Sequence, residues 1–125
     1  MTEVILESEY FLALNQLKLK IEPYKFDCIV ALKRSGWIGG AYLSNQLTIP
    51  VFTSSEIESI PKKFKNILIF DDKSCTGKSI HKVVNKLLDR NIKTAVLFKQ
   101  GYYNPSIFIS NKNEITRMFY ENHKI

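Results

Sequence analysis

Glycine and proline are scarce, five and four in 125 residues. That excludes a collagen-like, mucin-like or flexible-linker segment of any length. Cysteine is scarcer still, at two. Cys28 and Cys75 lie far apart and match neither C-x-x-C nor a zinc spacing, so no disulfide framework is expected. His81 and His123 are too few for a histidine-rich metal site. No apolar run approaches the ~18 residues that a membrane-spanning helix needs. The opening MTEVILESEY is acidic and has no basic stretch, so it does not fit a secretory signal, and a reducing cytoplasm is the expected location.

What is present is ordinary for a folded chain. Apolar residues make up 45% and charged residues 24%, which fits one soluble domain over residues 1–125. A chain of this length buries roughly 65% of its unfolded surface, enough for a real core. Eighteen basic residues against twelve acidic ones give a net charge of +6, which suits an anionic partner. The bases are dispersed, and only Pro61–Lys65 forms a cluster. Charge alone does not separate nucleotides from nucleic acid.

Residues 7–21 repeat Tyr10, Leu14, Leu17 and Ile21 at three- and four-residue steps, which predicts an amphipathic helix stopped by Pro23. Residues 27–32, 49–53, 66–71, 92–98 and 106–109 read as strands. Residues 38–47 and 78–90 read as helices, the latter with Ile80, Val83, Val84, Leu87 and Leu88 on one face. Residues 72–77 read as a loop, and nothing is assigned beyond Asn111. The strands are continuously apolar and alternate with helices. This pattern predicts an α/β fold with an open, mainly parallel sheet of about five strands flanked by helices. The expected order, numbering these strands along the chain, is 2-1-3-4-5. Ligands of such sheets sit at the carboxyl ends of the strands, which directs attention to Lys33–Gly36, Asp71–Ser79 and Lys99–Tyr103.

The second of these segments is the most informative. A buried strand, Ile67–Phe70, ends in Asp71 and Asp72, and a hydroxyl-rich loop with Gly77 opens a helix. Free N–H groups at a helix start hold phosphate. Two acids beside a phosphate make sense if they grip sugar hydroxyls or a divalent metal. Gly77-Lys78-Ser79 also looks like the end of a P-loop. The first glycine of that motif would fall at Asp72, however, and a carboxylate does not belong in a phosphate cradle.

This segment resembles the phosphoribosyl pyrophosphate (PRPP) motif of the type I phosphoribosyltransferases: apolar strand, two acids, and a loop ending T-G-x-[ST]. Within that family it is most similar to the purine salvage branch, the xanthine-guanine and hypoxanthine-guanine enzymes. Asp27–Gly40 resembles the family's first strand, pyrophosphate loop and following helix. Phe98-Lys99 resembles the strand end that meets the purine's exocyclic oxygen, and Phe119-Tyr120-Glu121 is weakly similar to an aromatic-acid element near the C-terminus.

The resemblance implies transfer of ribose-5-phosphate from PRPP to a nucleobase, with release of pyrophosphate. It implies Asp71 and Asp72 on the ribose hydroxyls and, mainly through PRPP, on Mg²⁺. Ser74, Cys75, Thr76, Gly77, Lys78 and Ser79 would cradle the 5′-phosphate. Lys33, Arg34, Ser35 and Gly36 would face the pyrophosphate, with Arg34 stabilising it as it leaves. Lys99 and Ile115 would meet the base. A homodimer or homotetramer and no membrane partner are implied as well.

The chain departs from the family pattern in three places. Cys75 stands where the salvage branch carries an aspartate, and a thiol is a poor proton acceptor at neutral pH. Only Thr53 to Lys65 form the hood, which is longer in the family; Ser54, Ser55, Lys62 and Lys63 are its polar residues. Ile115 falls at the purine-stacking aromatic, leaving Tyr102, Tyr103 or Phe119 as substitutes. These departures, with the charge of +6, keep open a non-catalytic PRPP- or nucleotide-binding regulator on the same fold, which could bind RNA.

Overall fold

A computed structural model describes residues 2–74, 76–112 and 115–121. Its elements run β1 (Thr2–Ile5), α1 (Glu7–Ile21), β2 (Cys28–Ala31), α2 (Trp37–Leu47), β3 (Val51–Thr53), β4 (Asn66–Ser74), α3 (Lys78–Asn85), β5 (Asn91–Lys99), β6 (Ile107–Asn111) and β7 (Ile115–Met118). Short 3₁₀ turns lie at Glu22–Tyr24, Ile57–Ser59 and Phe119–Glu121. Five strands form one sheet in the order β3-β2-β4-β5-β6. Every neighbouring pair in it is parallel. This is the order expected from the sequence.

The period of two along each strand divides the core between the two faces of the sheet. Ile29, Leu68, Phe70, Ala95 and Leu97 pack with Tyr10, Leu14 and Leu17 of α1 and Leu43 of α2. Val30, Ile67, Ile69 and Val96 pack with Ile80 and Val83 of α3 and with Ile57 and Ile60 of the hood. The glycines of α2 bring it close to the sheet. A Cβ on Gly40 would lie 2.5 Å from the Ala31 Cβ, and one on Gly39 would lie 2.7 Å from the Phe70 ring. Ile57 and Ile60 anchor the hood segment in the α3-side core.

Three boundaries differ from the sequence reading. The expected loop 72–77 begins later, because β4 continues to Ser74. Lys73 and Ser74 pair with Phe98 and Lys99 of β5, and Gln100 N donates to Ser74 O at 2.8 Å. The helix expected over 78–90 ends at Asn85. Arg90 Nη1 donates to Phe64 O at 2.9 Å and Asn91 N to Lys65 O at 2.7 Å, which turns the chain into β5. Leu87 is still buried, but Leu88 is 72% exposed and does not belong to the apolar face. Finally, both ends of the chain form an element the sequence did not reveal. β1 pairs in parallel with β7, from Thr2 opposite Ile115 to Ile5 opposite Met118. Ile5 and Met118 are fully buried in the α1–α2 core.

Among the described residues no helix is long and apolar enough to cross a membrane.

Candidate functional site

The carboxyl ends of β2, β4 and β5 and the start of α3 meet at one edge of the sheet. A cleft of about 160 Å³ opens there, lined by Asp71, Lys73, Ser74, Thr76, Gly77, Lys78, Ser79 and Ile80. Most of the residues expected to form the phosphate cradle therefore share one wall. Cys75 lies outside the described residues. The Ser74 hydroxyl is buried and has no hydrogen-bond partner among the described residues, so it is available to a ligand in the cleft.

Gly77 starts α3 with φ of 77°, in the left-handed region that favours glycine. A Cβ there would also lie 2.4 Å from the Tyr103 ring. Tyr103 is held in place, since its hydroxyl donates to Thr94 Oγ1 at 3.2 Å and its ring meets His81 edge-on. Tyr103 thus supports the turn into α3 and is not free to stack a base. Phe119 is committed too, packed against Tyr10 and Phe11. Tyr102, 76% exposed, is the one of the three substitutes that faces solvent.

The two acids separate. Consecutive strand residues point to opposite faces. Asp71 borders the cleft, whereas Asp72 is fully buried on the α1–α2 side beneath Tyr120. In this conformation Asp71 alone of the expected pair borders the cleft, and Asp72 faces away from it. Asp71 Oδ1 accepts from Ser35 Oγ at 3.1 Å and from Asp72 N at 2.8 Å. Burial raises the pKa of Asp71, and these hydrogen bonds and the Lys73 charge oppose the rise. Burial raises Asp72 as well, and the Asp71 charge adds to it. Burial next to Asp72 also pushes the Tyr120 phenol up.

Ser35 belongs to the loop after β2, which folds onto the end of β4. A Cβ on Gly36 would lie 2.8 Å from Leu32 O and 3.0 Å from Phe70 O, so only glycine fits this approach. The Lys33–Arg34 peptide is cis, and both side chains are exposed. Lys33 N donates to Ser54 Oγ at 3.3 Å and Lys33 Nζ to Ser55 Oγ at 3.4 Å, so the hood's serines are tied to this loop. Lys62 and Lys63 do not join them. They precede β4, beside Lys65, whose N–H donates to Asp27 Oδ2 at 2.9 Å at the opposite end of the sheet. Lys99 ends β5 beside Ser74, and its ammonium donates to Gly101 O at 3.1 Å. Ile115 opens β7 and pairs with Thr2, away from the ladder that carries the other site residues.

Sequence reasoning gave Tyr120 only a weak role. Tyr120 Oη lies 3.1 Å from Ser35 O and in contact with Asp72 Oδ2, and Glu121 Oε1 accepts from Lys73 Nζ at 3.4 Å. The Phe119–Glu121 turn thus fastens the acid strand and the Ser35 loop together. The aromatic-acid pair was the available signal, but its partners are too distant in sequence to be read.

No family model and no curated protein sequence matches the chain. Solved structures do. A xanthine-guanine-hypoxanthine phosphoribosyltransferase of Helicobacter pylori superposes with a TM-score of 0.87 at 20% identity, covering 98% of this chain and 95% of that one. This chain has a phosphoribosyltransferase fold. A purine phosphoribosyltransferase of Pyrococcus horikoshii Ot3 shares it at a TM-score of 0.85 and 23% identity, covering 99% of this chain and 97% of that one. So does a hypothetical protein from Neisseria gonorrhoeae with bound ppGpp, at 0.77 and 17%, covering 97% and 90%. The cleft at the start of α3 lies at the carboxyl edge of the sheet, where open parallel sheets hold ligands.

Proposed function

We propose that the chain binds PRPP and transfers its ribose-5-phosphate to a nucleobase, releasing pyrophosphate, with a purine as the first candidate. One observation carries this reading. The cleft brings the Asp71 carboxylate, the unpartnered Ser74 hydroxyl and the glycine-led start of α3 onto one wall. A sugar phosphate matches that set: N–H groups and hydroxyls for the phosphate, a carboxylate for the sugar hydroxyls.

In this reading Ser74, Thr76, Gly77, Lys78 and Ser79 hold the 5′-phosphate, and Asp71 accepts from a ribose hydroxyl. Asp72 keeps the Ser35 loop and Tyr120 in place. Lys33 and Arg34 take up the charge of the departing pyrophosphate, and Ser35 and Gly36 shape the loop against Asp71. Charge that develops as the glycosidic bond breaks is met by groups already in position. The base enters beside Lys99 and Tyr102. The hood, tied to Lys33 through Ser54 and Ser55, limits water at the reacting carbon.

Oxygen donors suit Mg²⁺, and among the described residues no three His, Cys, Asp or Glu side chains converge on one point. Asp71, which borders the cleft, would be the protein's donor, with phosphate oxygens of PRPP as the remainder. Bound there, Mg²⁺ would neutralise pyrophosphate charge.

The test is calorimetric titration of PRPP with Mg²⁺ into the wild type and Asp71→Asn, followed by a screen for base-dependent pyrophosphate release. Binding that weakens in the variant, together with release, supports transfer. A second reading has its own support: the Neisseria protein carries ppGpp on this fold, which favours a non-catalytic nucleotide-binding regulator. Binding without release under any base would select it.

A further inference from the structure

A lysine near the end of the chain grips its beginning. Lys112 follows β6, and its N–H donates to Lys99 O at 2.8 Å, at the carboxyl edge of the sheet. Its ammonium lies 3.1 Å from Glu3 Oε2 in β1 and 3.4 Å from Glu9 Oε2 in the first turn of α1, 109 and 103 positions away. It also sits 5.5 Å from the centroid of the Phe98 ring. The Lys112 side chain is only 17% exposed. An exposed lysine gains little from one ion pair. This one is largely buried and holds two carboxylates from different elements.

β1 and β7 carry that anchor toward the site. Glu3 stands opposite Thr116, and the ladder ends with Ile5 opposite Met118, both fully buried. Met118 N donates to Glu121 Oε1 at 2.8 Å, and the same oxygen accepts from Lys73, which lines the cleft. One residue earlier, Tyr120 Oη meets Ser35 O and Asp72. A continuous path of strand pairing and hydrogen bonds thus leads from Lys112 to the Ser35 loop. Without the ammonium, Glu3 and Glu9 would face each other as like charges, so β1 would be pushed from α1 and not merely released. β7 pairs with β1, and a shift of β1 therefore reaches the Phe119–Glu121 turn.

We infer that Lys112 is a positioning residue for the cleft: by pinning β1 to α1 it holds β7 and the Phe119–Glu121 turn where Tyr120 fastens the Ser35 loop. The inference deepens the phosphoribosyl reading and rests on it for the ligand. A path of contacts by itself does not establish coupling, which has to be measured between its ends.

The experiment measures affinity for PRPP with Mg²⁺ by calorimetry in the wild type, Lys112→Met, Glu3→Gln/Glu9→Gln and Tyr120→Phe, and in each of the first two variants combined with Tyr120→Phe. Amide hydrogen exchange of each protein is followed without ligand. Glu3 and Glu9 are partly exposed. Their glutamine pair unties Lys112 without leaving like charges in contact, and it carries the test if Lys112→Met does not fold. The expected result is affinity reduced about three- to tenfold in both untied variants. Exchange should quicken in residues 115–121 and 33–40 and stay unchanged in α3. In the Tyr120→Phe background, untying Lys112 should add less than about twofold, because both changes act through one contact. Unchanged affinity in both untied variants overturns the inference. So does a loss that multiplies with that of Tyr120→Phe, or exchange that quickens equally throughout the molecule. If the wild type does not bind PRPP, the phosphoribosyl reading fails and exchange alone decides. Selective quickening then keeps the role of Lys112 on the Ser35 loop, and any other pattern overturns it.

Discussion

The Tyr120 hydroxyl meets Asp72 across 48 residues of chain. It has a second acceptor, Ser35 O at 3.1 Å, and only one proton. The hydroxyl donates to both in this conformation; burial and the Asp71 charge favour a neutral Asp72, which could donate to Tyr120 Oη and leave the phenol's proton to Ser35 O. The raised pKa of Asp72 agrees. In that state one buried proton would sit between the acid strand, the C-terminal turn and the Ser35 loop.

Asp72→Asn should therefore stabilise the protein at neutral and alkaline pH. With its pKa raised by burial and then by Asp71, Asp72 holds its proton more tightly folded than unfolded. Its contribution is complete below the ordinary aspartate value, ~3.9, and is lost as pH rises toward the raised value. Asparagine keeps the shape and a donor for Tyr120 and has no proton to lose. Urea unfolding from pH 4 to 8 should show similar stability at the acid end and a variant advantage of at least about 1.4 kcal/mol, one pKa unit, at the alkaline end. Parallel profiles would refute the neutral Asp72.

Tyr120→Phe keeps the ring in its cluster with Tyr10 and Phe119 but removes the hydroxyl. Ser35 O and Asp72 each lose a partner. A stability loss of about 1–3 kcal/mol is expected. If the proposed function holds, PRPP affinity should fall several-fold as well, because the Ser35 loop loses its tether. A loss of stability with no change in affinity would confine Tyr120 to a structural role.

Gly77→Ala meets two obstacles, a φ of 77° and the Tyr103 ring. Together they should cost about 1–3 kcal/mol. Adding Tyr103→Ser should recover the steric part and leave the backbone part. No recovery in the double variant would mean that the backbone conformation alone dictates glycine.

Gly40→Ala sets helix propensity against packing. Alanine gains about 1 kcal/mol in a helix. The new Cβ would lie 2.5 Å from the Ala31 Cβ in β2, which cannot swing aside. Overpacking of about 1–3 kcal/mol should win. A higher melting temperature in the variant would show that α2 can move away from the sheet at little cost.

The order of the large sheet was readable because each strand is a continuous apolar run separated from the next by a helix-length or polar connection. Such runs belong to strands covered on both faces. The start and end of α1 were readable for the same local reason, since Tyr10, Leu14, Leu17 and Ile21 form one stripe and Pro23 follows it. The hydroxyl-rich turn into α3 was legible as a candidate site because its residue types at that spacing carry their own chemistry. Three features were not. Pairing of β1 with β7 joins segments more than a hundred residues apart, and each strand is only four residues long. Asp71 and Asp72 look equivalent in sequence. Strand alternation and the Tyr120 contact divide them, and alternation could be applied only once β4 was known to run through both. Leu88 reads as part of the apolar face of that helix, but the helix ends at Asn85 and leaves it exposed. The sequence by itself determined local periodicity, the large sheet and the residue types at the turn into α3, because these depend on neighbours a few positions apart. Tertiary structure decided which acid borders the cleft, which aromatic faces solvent and how the chain's two ends pair, because those depend on contacts between elements distant along the chain.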